Sequence, residues 1–225
     1  MVGARSYCVG MQSLTGLGIL AVAVLTWRCV VPRIRIDDPE APDLAALVTA
    51  RSTLAIALVA VAVAAMVTWL EPSYRLWLWA PYVALGLPLV TVDLRTTFLP
   101  KRLNALVTAA MAVGLVPLTV ADWRAGVGAT LGAAGAFLFF YAAWRLSPTL
   151  GFGDVRLALL IGAVSGQAGV GTWTTALLGG TVLGALHGIG HAVWARGGAS
   201  RPQHFPFGPA LWLGPVVASV VSATG

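Results

Sequence analysis

Leu76-Trp77-Leu78-Trp79-Ala80-Pro81-Tyr82-Val83-Ala84-Leu85-Gly86-Leu87-Pro88-Leu89-Val90-Thr91-Val92-Asp93 carries no charge until its last residue. The apolar core of a bilayer takes about 20 mostly apolar residues per helix, and this run nearly reaches that length before it meets a carboxylate. Similar runs occur at roughly 13–31, 52–70, 102–120, 125–146, 154–171, 173–195 and 206–222. With 76–93 they predict an all-α polytopic membrane protein of about eight transmembrane helices, with 1–225 as one membrane-embedded domain. Composition agrees: 58% of the 225 residues are hydrophobic and 10% charged, with mean hydropathy +0.86. A soluble domain cannot hide that much apolar surface, so lipid must cover the remainder. The divide between the sixth and seventh helices is the least marked, a stretch with Gly169, Gly171 and Thr172 and no charge.

The charges test this count. Placing the N-terminus outside and alternating puts Arg28, Arg33, Arg35, Arg51, Arg95, Lys101, Arg102, Arg145, Arg156, Arg196 and Arg201 on the cytoplasmic side. Only Arg5, Arg75 and Arg124 fall on the other. That bias is the positive-inside pattern and places both termini outside. Arg5 before the first apolar run resembles the start of a signal peptide, but the arginines after the run outweigh it and favour a retained helix. The net charge of +6 therefore reads as membrane topology. No basic cluster is interleaved with aromatics, so nucleic acid is not an expected partner. Trp69, Trp77, Trp79, Trp123, Trp194 and Trp212 fall mostly near helix ends, as an aromatic belt would. Cys8 and Cys29 bracket the first helix, roughly 30 Å apart at 1.5 Å per residue, which is too far for a disulfide.

The polar loop 32–51 holds Asp37, Asp38, Glu40 and Asp43 among three prolines, which is solvated chain and no compact domain. Glu71 and Asp122 read as solvated charges of outer loops. Two acids remain. Asp93 closes the third helix, and Asp154 opens the sixth within Gly151-Phe152-Gly153-Asp154-Val155-Arg156-Leu157. Both meet the cytoplasmic boundary, and a carboxylate near the bilayer is costly enough to need a reason. The plain reasons are an N-cap for Asp154 and a loop charge paired with Arg95 for Asp93. The chemical reason is an aspartyl dyad. Two carboxyls about 3 Å apart share one proton. One acts as general base on a water while the other polarises a scissile carbonyl. Gly151 and Gly153, without side chains, allow a substrate backbone to approach. Arg156, two residues on, is expected on another helix face. The dyad requires the third and sixth helices to be neighbours.

His187 and His191 stand four apart on the seventh helix with His204 nearby, but packing roles are favoured over a metal, and no metal or cofactor is implied. Pro206-Phe207-Gly208-Pro209 is either a stiff helix entry or a wall that holds an extended substrate.

Taken together, Asp93 followed by Leu99-Pro100, then the Gly-x-Gly-Asp-x-basic-Leu motif at 151–157, then Pro206-Phe207-Gly208-Pro209, resemble the prepilin peptidase family of GxGD aspartyl proteases. The likeness covers about 76–222. It implies that Asp93 and Asp154 are the catalytic dyad. It also implies cleavage of the basic leader of type IV prepilins at the cytoplasmic face of a bacterial or archaeal membrane, in pilus assembly and protein secretion. The sequence departs from the family in three places. Lys101 stands where the family often has Asp, and Arg156 replaces the usual Lys. The loop 32–51 stands where longer members insert a methyltransferase domain, so peptidase without methylation is implied, as in Tad/Flp-type systems. The four loop acids could attract a basic leader. Two alternatives stay open. One is a presenilin or signal-peptide-peptidase-like protease, against which Val92 rather than Tyr precedes Asp93. The other is a non-catalytic pilus-assembly or transport protein, although transporters tend to show repeats and broken helices absent here.

Overall fold

A computed structural model describes residues 2–35, 42–147, 150–195 and 206–224, with side chains from residue 12 to residue 194 and from 206 onward within those ranges. Asp37, Asp38, Glu40, Arg196, Arg201 and His204 lie outside them. The described chain is an all-α multi-pass membrane protein. Its eight helices are α1 (Val2–Leu25), α2 (Ala50–Leu70), α3 (Leu76–Thr96), α4 (Lys101–Ala121), α5 (Trp123–Leu146), α6 (Phe152–Gly166), α7 (Val170–Ala195) and α8 (Gly208–Thr224). The first continues as a π turn over Thr26–Val30 and a 3₁₀ turn over Val31–Arg33. Six segments are long and apolar enough to cross a membrane, Gln12–Arg33, Ala50–Leu70, Ser73–Thr96, Lys101–Ala121, Trp123–Leu146 and Val170–Trp194.

The other two helices are short and lie inside. α6 has 15 residues and α8 has 17, or roughly 22 and 26 Å at 1.5 Å per residue. The sixth helix ends five residues before the sequence boundary of 171. Gly169 takes φ +105° and turns the chain, with N–H bonds from Ala168 to Ser165 and from Gly169 to Gly166. That conformation suits glycine, so the uncharged divide is a real break.

Glycines four residues apart set the packing inside the bundle. Gly128 and Gly132 on α5 face Gly166 and Gly162 on α6, and a Cβ added at any of the four would fall within 2.6 Å of backbone oxygen. On α7, Gly180 meets Leu211 and Gly184 meets the Phe207 ring, while Gly214 of α8 meets the Ala176 carbonyl. Lipid chains are as apolar as leucine, so helices in a membrane associate through close backbone approach of this kind. It draws α6 against α5 and α8 against α7.

α3 threads the centre and touches α1, α2, α4, α6 and α8. It is tied to α8 by Tyr82 and Trp212, whose rings stack at 5.6 Å. The Tyr82 hydroxyl donates to the Trp212 carbonyl at 2.7 Å, and Trp212 Nε1 donates to the Tyr82 carbonyl at 3.4 Å. Gly86 leaves the space for the indole, since its Cβ would stand 2.8 Å from Trp212 Nε1. The aromatic-belt expectation therefore fails for Trp79 and Trp212, both fully buried, and holds as exposure for Trp69, Trp77, Trp123 and Trp194.

Two acids read as solvated loop charge are not. Glu71 is buried, paired with Arg75 at 3.1 Å and accepting the Ser219 hydroxyl at 2.6 Å. This clip joins the α2–α3 corner to the end of α8. A carboxylate is tolerated in such a place only with these partners. Asp122 N-caps α5, accepting the N–H groups of Arg124 and Ala125 at 2.9 and 3.2 Å. Of the 32–51 loop, Asp43 is exposed and accepts the Ala45 N–H, while Leu44 is buried and Thr49 forms a capping box with Ser52 on α2.

Candidate active site

Asp93 lies on the last turns of α3, which runs on to Thr96. It is buried, and its Oδ2 accepts the backbone N–H of Gly208 at 2.9 Å. That bond is delivered from 115 residues away by the Tyr82–Trp212 tie, which sets the height of α8 on α3. Gly208 is the first residue of α8, where backbone N–H groups have no partner within the helix. A Cβ there would sit 2.6 Å from Asp93 Oδ2, so no other residue fits without displacing the carboxylate. The loop-charge reading of Asp93 fails: its partner is Gly208, and among the described residues no Asp93–Arg95 ion pair forms.

Asp154 is the third residue of α6, behind Gly151 at the N-cap and Phe152 and Gly153 in the first turn. It is therefore not the N-cap. Its backbone N–H donates to the Gly151 carbonyl at 3.1 Å, and the space of a Gly151 Cβ lies 3.5 Å from its Oδ2. Its carboxylate thus stands at the third position of the helix. The helix dipole favours a negative group there.

α3 and α6 are neighbours, and both touch α8. Asp93 and Asp154 consequently line one cleft of about 1160 Å³ and are close enough to act on each other electrostatically. Leu99, Gly151, Gly153 and Phe207 share its walls. Gly153 serves Leu99, whose side chain would come within 2.8 Å of a Cβ, so the Leu99-Pro100 corner packs directly onto the Gly151–Asp154 turn. Pro100 and Pro206 are buried behind the wall, with Pro100 as N-cap of α4 and Pro209 in the first turn of α8. Pro206-Phe207-Gly208-Pro209 is thus both a helix entry and a site wall.

Thr97, Phe98, Lys101, Phe139, Phe140, Ala143, Ser147, Leu150, Phe152, Arg156 and Thr181 also line the cleft. Of these the sequence singled out only Lys101 and Arg156, and nothing marked the α5 aromatics. Arg156 shares the cleft instead of facing away. Its guanidinium lies 4.7 Å over the Phe152 ring, and among the described residues it forms no ion pair with Asp154. Thr97 is the one non-glycine residue with positive φ among those described, at +59°. Its N–H caps α3 by donating to the Asp93 carbonyl at 2.7 Å, so the strained residue sits one turn beyond Asp93. Such strain in a β-branched residue is typical of functional sites.

Asp43 is not among the cleft walls. His187 and His191 share a face of α7, His191 against the Trp194 ring at 5.5 Å. Among the described residues no three His, Cys, Asp or Glu side chains gather as metal ligands.

The chain matches no family model, and neither a curated protein nor a solved structure is similar to it.

Proposed function

We propose that this protein is an intramembrane aspartyl endopeptidase similar to prepilin peptidases. The observation that carries the reading is the convergence of Asp93 and Asp154 on one mostly apolar cleft, with Asp93 held by the Gly208 backbone N–H. In the mechanism this suggests, one carboxylate takes a proton from a water as the water oxygen attacks the scissile carbonyl carbon. The other carboxyl donates its proton to the carbonyl oxygen. The tetrahedral product collapses as the C–N bond breaks, and the leaving nitrogen takes a proton from the dyad. No metal or organic cofactor enters. Gly151 and the Leu99, Phe152 and Phe207 side chains form a surface that an extended segment can lie along, next to the acids.

The substrate is then a prepilin, a basic leader followed by an apolar helix, of the Tad/Flp-like class. The lipid bilayer is the other partner. The loop 32–51 has no room for a methyltransferase domain, so peptidase activity stands alone. The charge bias supports a site at the cytoplasmic face of a bacterial or archaeal cytoplasmic membrane, with both termini outside. Asp37, Asp38, Glu40 and Asp43 would add long-range attraction for the leader on that face.

The test is cleavage of candidate small prepilins in membranes by wild type, Asp93→Asn and Asp154→Asn at equal expression. Loss of cleavage in both variants supports the dyad. Near-normal cleavage by either one removes it.

A further inference from the structure

We propose that a second pocket, between the end of the first membrane segment and the start of α4, binds an anionic phospholipid whose phosphate is held by Arg33 and Arg102. This pocket shares no wall residue with the cleft and does not depend on the peptidase reading.

The pocket has a volume of about 270 Å³ and is lined by Cys29, Val30, Arg33, Ile34, Arg102, Leu103 and Leu106. It brings Arg33 and Arg102, both exposed, to one rim from segments 69 residues apart in sequence, and among the described residues no acid stands among its walls. The single ion pair among the described residues is Glu71–Arg75, elsewhere in the fold. Two guanidiniums at one rim give it a positive potential that favours an anion. Arg33 is held in place by donating to the Cys29 carbonyl, and a guanidinium fork suits phosphate oxygens.

The start of α4 points the same way. Pro100 supplies no side-chain cap, and the first turn carries Lys101 and Arg102, with no acid. Cations are disfavoured at the positive end of a helix, where acids or phosphate groups normally stand. An anion at Arg102 would relieve both charges and the free N–H groups.

The remaining walls say what else the occupant must carry. Arg33 ends one membrane-crossing segment and Arg102 lies in the first turn of another, so the pocket opens at the bilayer interface. Val30, Ile34, Leu103 and Leu106 make its other sides apolar, and Leu106 is exposed beyond it. A free phosphate would leave those walls against water. A phospholipid fills both parts, its phosphate on the arginines and its chains along the leucines.

Cys29, an exposed free thiol in the pocket wall, gives a direct readout. The full-length protein, with Cys8→Ser to leave one thiol, is alkylated by a neutral maleimide in detergent. It is tested alone, with phosphatidylglycerol, with phosphatidylcholine, and with millimolar inorganic phosphate. Each variant is scored by its own ratio of rates with and without additive. Phosphatidylglycerol is expected to slow alkylation roughly fivefold or more, with little effect from the other two. Arg33→Gln/Arg102→Gln should lose that protection, while Arg145→Gln, at the end of α5, keeps it. Equal protection by phosphatidylcholine would reduce the pocket to an apolar groove and overturn the proposal. Equal protection by inorganic phosphate would overturn the lipid as occupant, and no protection by any additive would overturn the site. The comparison of additives on the wild-type arginines decides the matter even where the double variant fails to fold.

Discussion

Gly208 donates its backbone N–H to Oδ2 of Asp93 at 2.9 Å, bridging α8 to α3. The position has room for nothing larger than hydrogen. In Gly208→Ala the new methyl would lie 2.6 Å from the carboxylate oxygen, so either α8 or Asp93 must move. Peptide cleavage is expected to fall by roughly a hundredfold, since small misplacements of catalytic groups are costly. The melting temperature should drop only a few degrees, because the Tyr82–Trp212 tie stays in place. Cleavage at wild-type rate by the alanine variant would mean that this bond has no part in the chemistry.

The glycine seam between α5 and α6 makes a sharper stability prediction. A Cβ at Gly162 would lie 2.2 Å from the Gly132 carbonyl oxygen. Gly162→Ala is therefore expected to destabilise the bundle by about 1–3 kcal/mol, the range for overpacking. Gly18→Ala on α1 has nothing within 4 Å and should be neutral. Thermal unfolding of the two variants in one detergent compares them directly.

Glu71 should behave as a structural acid. Glu71→Ala leaves the Arg75 guanidinium without its carboxylate and the Ser219 hydroxyl without its acceptor, at a cost of about 1–3 kcal/mol. Ser219→Ala should cost less, about 1 kcal/mol. Both variants, once folded, should retain the ratio of cleavage to folded protein seen in wild type, because the clip does not touch the cleft.

Thr97 pays a local conformational cost for its φ of +59°. Asparagine accepts that region more readily than a β-branched residue. Thr97→Asn is therefore expected to stabilise the protein by about 0.5–1 kcal/mol, while Thr97→Val should not. The check is the midpoint of thermal unfolding, read beside cleavage to see whether relaxing the α3 end loosens the dyad.

The membrane class and the helix count were legible because apolar runs and arginine asymmetry are local signals, each read within one segment. The pairing of Asp93 and Asp154 was legible only as a condition, that α3 and α6 be neighbours. What meets that condition is α8, which touches both α3 and α6 and is tied to α3 by Tyr82 and Trp212, partners that no single run reveals. Glu71 was misread for a related reason. Its neighbours Pro72 and Arg75 look like a corner in water, but Ser219, 148 residues away, closes over it. Trp79 and Trp212 were misread by position, since a residue near a helix end can still face α3 or α8. Leu99-Pro100 and Pro206-Phe207-Gly208-Pro209 were visible as motifs, yet their physical service, filling the space left by Gly153 and delivering an N–H to Asp93, exists only in three dimensions.

The shortness of α6 and α8 has a consequence for hydration. Both helices begin beside the acids, whereas α7 runs on for roughly three more turns past Gly184, where it meets Phe207. At that end lies the cleft of about 1160 Å³, large enough to hold many waters. An open cleft of that size, in a bundle otherwise facing lipid, gives water a way to the edge of hydrocarbon. On the proposed peptidase reading, that water is the reagent that meets the arriving polypeptide.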